Sequence, residues 1–452
     1  MTGHHEHNEK HIHLQPEPSA DPADPLNFSM TRKLTILALM ALYAADTNIA
    51  SAIISSALPN LVTAWAVFSQ RGPPTGIVSF PTLTHLVAVS QLMLGAANIF
   101  WVPLSNTYGR RPIILLCLLL LTVMSVWCAE AGSFNSLLAA RVLQGVGGAA
   151  ADTLAPDVVG HVFFVHQRGR ALAVYTAFLS GGSLIGAIIG GYIATELGWR
   201  WTMWISAILA GINFVLAVFF LPETLFDREN AMGVVTTLSE KGMTETVERV
   251  DSQVYQPYTF ARPLGFMKPR GGLLGRFFRP YLTLRLPGTI MVMLHYAGLV
   301  GLIVTVSTIA PQLLSAPPYL WGANVGLINV AGLIGTFIGG AYAFLTTDWL
   351  TKRAAKRESH GLAEPERRLP LMIPSLVVVT GGSLVFGFVA QNPSPLGWVG
   401  LAFGYGMIAF GLMQVPSVGF TYILESYGEL ASDCCEYTRF LLPRQYTDIS
   451  QS

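Results

Sequence analysis

The chain runs to 452 residues, 52% of them apolar and only 12% charged, about half the roughly 25% charge of a soluble protein. With 44 Gly, 27 Pro, a mean hydropathy of +0.50 and a formal net charge of +1, the composition excludes a soluble multidomain enzyme and a nucleic-acid binder. It fits a polytopic membrane protein, in which Gly and Pro occur inside helices, and the four Cys give no readable disulfide framework.

The first 33 residues are polar and contain no apolar segment of signal-peptide type. His4, His5, His7, His11 and His13 fall there, but with almost nothing apolar to bury, 1–33 reads as a disordered cytoplasmic tail. No metal site is assigned to it. Ten apolar runs follow, near 34–62, 84–104, 112–131, 135–160, 170–196, 200–221, 287–314, 321–346, 370–391 and 396–424, each long enough to span a bilayer. With the N-terminus in the cytoplasm, all Lys and Arg except Arg71, Arg141 and Arg200 fall in cytoplasmic segments, as the positive-inside rule requires. The nine Trp sit near span ends, where an interfacial aromatic belt belongs. The expected organisation is an all-α membrane protein. A six-helix bundle over 34–221 precedes a basic cytoplasmic linker over 222–286, a four-helix bundle over 287–424 and a tail over 425–452. No P-loop, zinc spacing or nucleophile elbow occurs, so no enzyme activity and no cofactor are expected.

Polar residues inside the spans are the candidates for function, because an ionisable group in hydrocarbon is costly and marks a pathway or a buried pair. Span one carries Asp46 near mid-depth, and span seven carries His295 beside Tyr296. Desolvation brings a carboxyl or imidazole group towards titration at working pH, which is what proton coupling needs. In span four, Gln144, Gly145, Gly148 and Asp152 all lie within about 60° of Arg141 on a helical wheel. They form one polar, small-residue stripe. Arg141 and Asp152 are roughly 16 Å apart along that helix, so they are expected to present charge at two depths of one cavity. Asp157 points away from the stripe and reads as an interfacial or packing residue. Span five has Gly182, Gly186, Gly190 and Gly191, and span eight a comparable series. Small residues at this spacing let helix backbones approach closely.

The loop after span two reads Val102-Pro-Leu-Ser-Asn-Thr-Tyr-Gly-Arg-Arg111-Pro. It resembles the signature loop of the major facilitator superfamily, G-x-L-x-D-R-x-G-R-R. Leu104, Gly109, Arg110 and Arg111 match, while Val102, Asn106 and Thr107 depart from the pattern. Arg141-Val-Leu-Gln144-Gly145-Val-Gly147 is similar to the family's R-x-x-Q-G-x-G, and the span-five run resembles its antiporter motif with Ala187 in place of Pro. Asp24–Ser29, Phe163–Gly169 and Glu364–Leu369 look like filamentous-fungal members, which are similar to the 12-helix drug:proton antiporter branch. The resemblance implies a monomeric secondary transporter of a small organic compound, with protons as co-substrate, in the plasma membrane. Export is the direction implied. Uptake of an organic cation or nutrient stays open, as does a transport-impaired remnant. In the family, spans one, four, seven and ten line the cavity and there are twelve helices in two sixes. After Leu424 no window is apolar enough for an eleventh. The expectation is therefore a truncated second half, with the flank of span two near Asn98 and Asn106 facing lipid.

Overall fold

A computed structural model describes residues 23–62, 80–226, 277, 287–355, 370 and 372–414. The N-terminal His residues, nearly all of the basic linker, Glu364–Leu369 and the 425–452 tail lie outside the described residues. In chain order the helices are α1 (Met30–Ala52), α2 (Phe80–Ala96), α3 (Asn98–Tyr108), α4 (Arg110–Glu130), α5 (Phe134–Gly148), α6 (Ala150–Val162), α7 (Val165–Glu196), α8 (Trp199–Phe220), α9 (Pro287–Ser315), α10 (Ile328–Ala355), α11 (Met372–Gln391) and α12 (Gly397–Gln414). Short 3-10 turns lie at Pro25–Asn27, Ser55–Ala57 and Gly322–Leu327, and no strand occurs among the described residues.

Eight stretches among the described residues are long and apolar enough to cross a membrane. They correspond to the expected spans one to three and five to nine. Span four differs from a continuous helix. It divides at Ala149 into α5, of 15 residues, and α6, of 13. The two together cover roughly 40 Å, still more than the hydrocarbon thickness of about 30 Å. Of span ten the described residues include the apolar helix Gly397–Leu412, and 415–424 lie outside them.

Local chemistry sets the first span. Asp24 caps the Pro25–Asn27 turn by accepting from the Leu26 N–H at 3.0 Å. Ser29 then caps α1 by accepting from the Arg32 N–H at 3.4 Å, filling an otherwise orphaned first-turn donor. The ammonium of Lys33 donates to the Leu26 carbonyl at 2.8 Å and lies 4.5 Å from the Phe164 ring. The Asp24–Ser29 stretch is thus folded back against the end of span four.

Two apolar cores fill the first six spans. A third gathers residues of α9, α10, α11 and α12 together with Leu184 of α7. Large apolar side chains such as Leu294, Leu384 and Phe388 are about 70% exposed, as lipid-facing positions should be. Glycines set the closest approaches. A Cβ at Gly182, Gly186 or Gly190 of α7 would meet the backbone of Ala45, Ile49 or Ile53 within 2.9 Å, so two four-residue ladders interlock. A Cβ at Gly335 or Gly339 of α10 would similarly run into the carbonyls of Gly406 and Phe410 of α12. Gly191 and Gly326 meet across the boundary between the first six spans and the rest, where Tyr192 also donates to Asn324 at 2.8 Å. Gly182, Gly186, Gly190 and Gly191 of span five, and Gly335 and Gly339 of span eight, are thus packing surfaces.

Candidate functional site

Three breaks lie where the polar residues gather. α1 ends at Ala52, ahead of the Ser55–Ala57 turn. Span two breaks at Ala97, where the Asn98 side chain donates to the Leu94 carbonyl at 2.8 Å and so competes with the helical ladder. Span four breaks at Ala149, and Pro156 further on leaves the Asp152 carbonyl without its helical donor. Side chains from three other spans hold this last break. Trp101 donates to the Val146 carbonyl at 2.9 Å, Tyr43 to the Gly147 carbonyl at 2.7 Å, and Tyr175 to the Ala151 carbonyl.

Just past the break stands Asp152. It is the one exposed residue of α6, between buried Ala151 and half-buried Thr153. It also acts electrostatically on Tyr43 of α1 and on Tyr296 of α9. Asp152 is thus exposed at the break while standing near Tyr43 of span one and Tyr296 of span seven. Beside Tyr296, His295 is half-buried and its Nε2 has no hydrogen-bond partner.

The remaining expected site residues lie elsewhere. Arg141 does not present its charge to a cavity. It is fully buried and donates to the carbonyls of Leu86 (3.0 Å), Ala50 (2.7 Å) and Ser51 (2.8 Å) and to Gln144 Oε1 (2.6 Å). The carbonyls at the end of α1 carry the negative end of the helix dipole, and the guanidinium fork joins them to spans two and four. Gln144 is buried too, and donates to Ser125 of span three at 2.7 Å. Gly145 packs on Ser90 and Gly148 on Thr47 and Leu94. Of the stripe that the wheel groups, Arg141, Gln144, Gly145 and Gly148 are buried against neighbouring helices, and Asp152 alone is exposed. Asp46 is likewise buried, at 5% exposure, where Asn213 of α8 donates to its Oδ2 at 3.0 Å.

The loop after span two forms a second polar centre. Gly109 has φ 105° and ψ 154°, a region essentially closed to other residues, and this turn brings α3 into α4. The backbone N–H groups of Arg110 and Arg111 donate to the Glu223 carboxylate at 3.0 and 3.2 Å, which sits at the positive end of α4. Arg111 donates to the Leu221 and Val218 carbonyls at the end of α8. Arg110 pairs with Asp157, which also contacts His161 at 3.2 Å. Leu104 packs against the first core and Asn106 is half-buried. The expected exposure of Asn98 to lipid is corrected: it is 3% exposed and accepts from Thr153 at 2.6 Å. Glu223 and Asn213 are contributors that sequence reading missed, since each acts on a partner more than a hundred residues away. The one local hint was a helix at Arg110 with Gly109 as an N-cap that has no side chain to satisfy it.

The Major Facilitator Superfamily profile matches residues 34–431. The chain belongs to this superfamily. As a member it is a multi-pass membrane transporter of small molecules and not an enzyme. It is similar to an uncharacterized MFS-type transporter of Schizosaccharomyces pombe, 29% identical over 92% of this chain and 77% of the relative. It is also similar to a multidrug transporter of Candida glabrata, 24% identical over 93% of this chain and 70% of the relative. The xylose transporter XylE from E. coli, in a partially occluded inward-open conformation, shares the fold with a TM-score of 0.57, at 17% identity and 90% coverage of both chains.

Proposed function

We propose that this superfamily member is a proton-coupled exporter of a small organic compound, with Asp152 as the group that exchanges the proton. The observation that carries the reading is the position of Asp152: accessible, next to a break in span four, and within electrostatic range of Tyr43 and Tyr296 from two further spans. A carboxyl group at such a junction can respond both to a proton and to the packing of the helices that rock past it. In this reading Tyr296, which Asp152 influences, and the neighbouring His295 with its unbonded Nε2 contribute from span seven. Relatives named as efflux pumps, in Floropilus chiversii and Fusarium oxysporum, support the export direction. In this reading the chain works as a monomer in the plasma membrane with its N-terminus in the cytoplasm. Residues 34–221 form one moving bundle, 222–286 the linker, and 287–424 the other.

The test is flux in liposomes under an imposed pH gradient, using a panel of fluorescent amphipathic compounds. Export by antiport requires compound and protons to move in opposite directions. Co-movement would assign uptake instead. Asp152→Asn is expected to insert normally and to lose the pH dependence of flux. An unchanged pH response in that variant would overturn the assignment.

A further inference from the structure

The two carboxyl groups nearest the middle of the first six spans have opposite surroundings. Asp152 is accessible, whereas Asp46 is 5% exposed and packed between α1 and α8. Asp46 Oδ2 receives one hydrogen bond, from Asn213 Nδ2 at 3.0 Å. Asn213 is itself 2% exposed, and its Oδ1 is buried with no donor facing it.

Among the described residues no ion pair reaches Asp46, and the Asn213 amide is the side chain that bonds its carboxyl group. The charged and titratable groups on the helices around it are committed elsewhere. Arg141 of α5 is spent on carbonyls and Gln144, and Asp152 of α6 acts on Tyr43 and Tyr296. Tyr175 of α7 donates to Ala151, and Arg200 of α8 to Ala129 and Ala131. On α4, Cys117 interacts with Tyr43, and His85 of α2 is exposed. On α1 itself, Lys33 is thirteen residues away, roughly 20 Å along the helix.

An ionised carboxylate with one neutral donor in a dry helix interface is strongly disfavoured, and so is the orphaned amide oxygen beside it. One proton removes both deficits. A protonated carboxyl group has one O–H donor and keeps its acceptor capacity. Its O–H can donate to Asn213 Oδ1 while Asn213 Nδ2 donates to the other carboxyl oxygen. We infer that Asp46 holds a resident proton in a closed carboxylic acid–amide pair with Asn213, clasping span one to span six away from the transport path. This proton stays bound through the cycle. The inference does not depend on which way the protein transports, or on Asp152.

The test is infrared spectroscopy of the full chain in lipid nanodiscs at neutral pH. The wild type minus Asp46→Asn difference spectrum is expected to show, as a positive band, the C=O stretch of a protonated, hydrogen-bonded carboxyl group. A difference confined to carboxylate bands would overturn the inference. Asn at position 46 can form the same two-bond ring as a neutral amide, so Asp46→Asn is also expected to keep the wild-type melting temperature and flux. A large loss of melting temperature in that variant would argue for a needed charge and against the clasp. Should Asp46→Asn fail to fold, Asn213→Leu provides the reading: it strips the acid of its partner and shifts the same C=O band to higher frequency. Absence of any such band in either protein would refute the resident proton.

Discussion

Arg141 carries the sharpest residue-scale consequence. Its four donor contacts reach three spans, and a Lys ammonium cannot reproduce that fork. Arg141→Leu leaves the Ala50 and Ser51 carbonyls at the end of α1 unpaired, each at a cost of roughly 1–3 kcal/mol, and removes the tie to Leu86 of span two. The expected outcome is a large drop in melting temperature and in yield of monodisperse protein, with Arg141→Lys recovering only part of it. Wild-type melting behaviour in Arg141→Leu would show that these carbonyls find other donors. The sequence made clear that a charge at this depth must face either protein or water. It could not decide between them, because the deciding groups are backbone carbonyls about 90 residues away. Asp152 shows the converse. Its exposure accompanies a helix break, and although Gly147-Gly148 and Pro156 are breaker residues, the apolar run reads as one continuous span.

At the scale of elements, apolar length made the spans legible, since a run of about 20 apolar residues has few other uses. The glycine rows were legible as contact surfaces but their partners were not. Span five lies against span one, and span eight against span ten. The cost of filling such a contact depends on what the new methyl group meets. At Gly190 it meets the Ile53 carbonyl at 2.2 Å, whereas at Gly340 nothing lies within 4 Å. Gly190→Ala is therefore expected to destabilise by about 1–3 kcal/mol, as overpacking does, and Gly340→Ala to be close to neutral. Thermal melts of the two variants side by side check this, and equal behaviour would contradict the interlocked ladder.

Among the described residues, one place where the two sets of helices meet is a small, close-packed seam. Gly191 abuts Ala323 and Gly326, Gly326 abuts the Ala187 and Ile188 carbonyls, and Tyr192 bonds to Asn324. If the two sets rock against each other during transport, this seam must open or pivot. Joining Tyr192→Cys to Asn324→Cys with a short bismaleimide, in a background lacking Cys434 and Cys435, is expected to stop flux without lowering the melting temperature. Undiminished flux after complete cross-linking would identify the seam as a fixed pivot. Sequence reading expected two bundles and a linker, but it had no means of locating the seam, because the Gly322–Leu327 turn that forms half of it carries no periodic signal.

The Arg141 junction also bears on how the protein is made. Placing an arginine at the centre of a helix during membrane insertion is penalised by about 2.5–3.5 kcal/mol when the helix enters alone. Ala50, Ser51 and Leu86 all precede Arg141 in the chain. The carbonyls that receive the guanidinium are therefore synthesised first, on spans one and two. Span four then enters a bilayer where its acceptors are already waiting, and biogenesis of the first bundle runs in the order in which the ribosome delivers it.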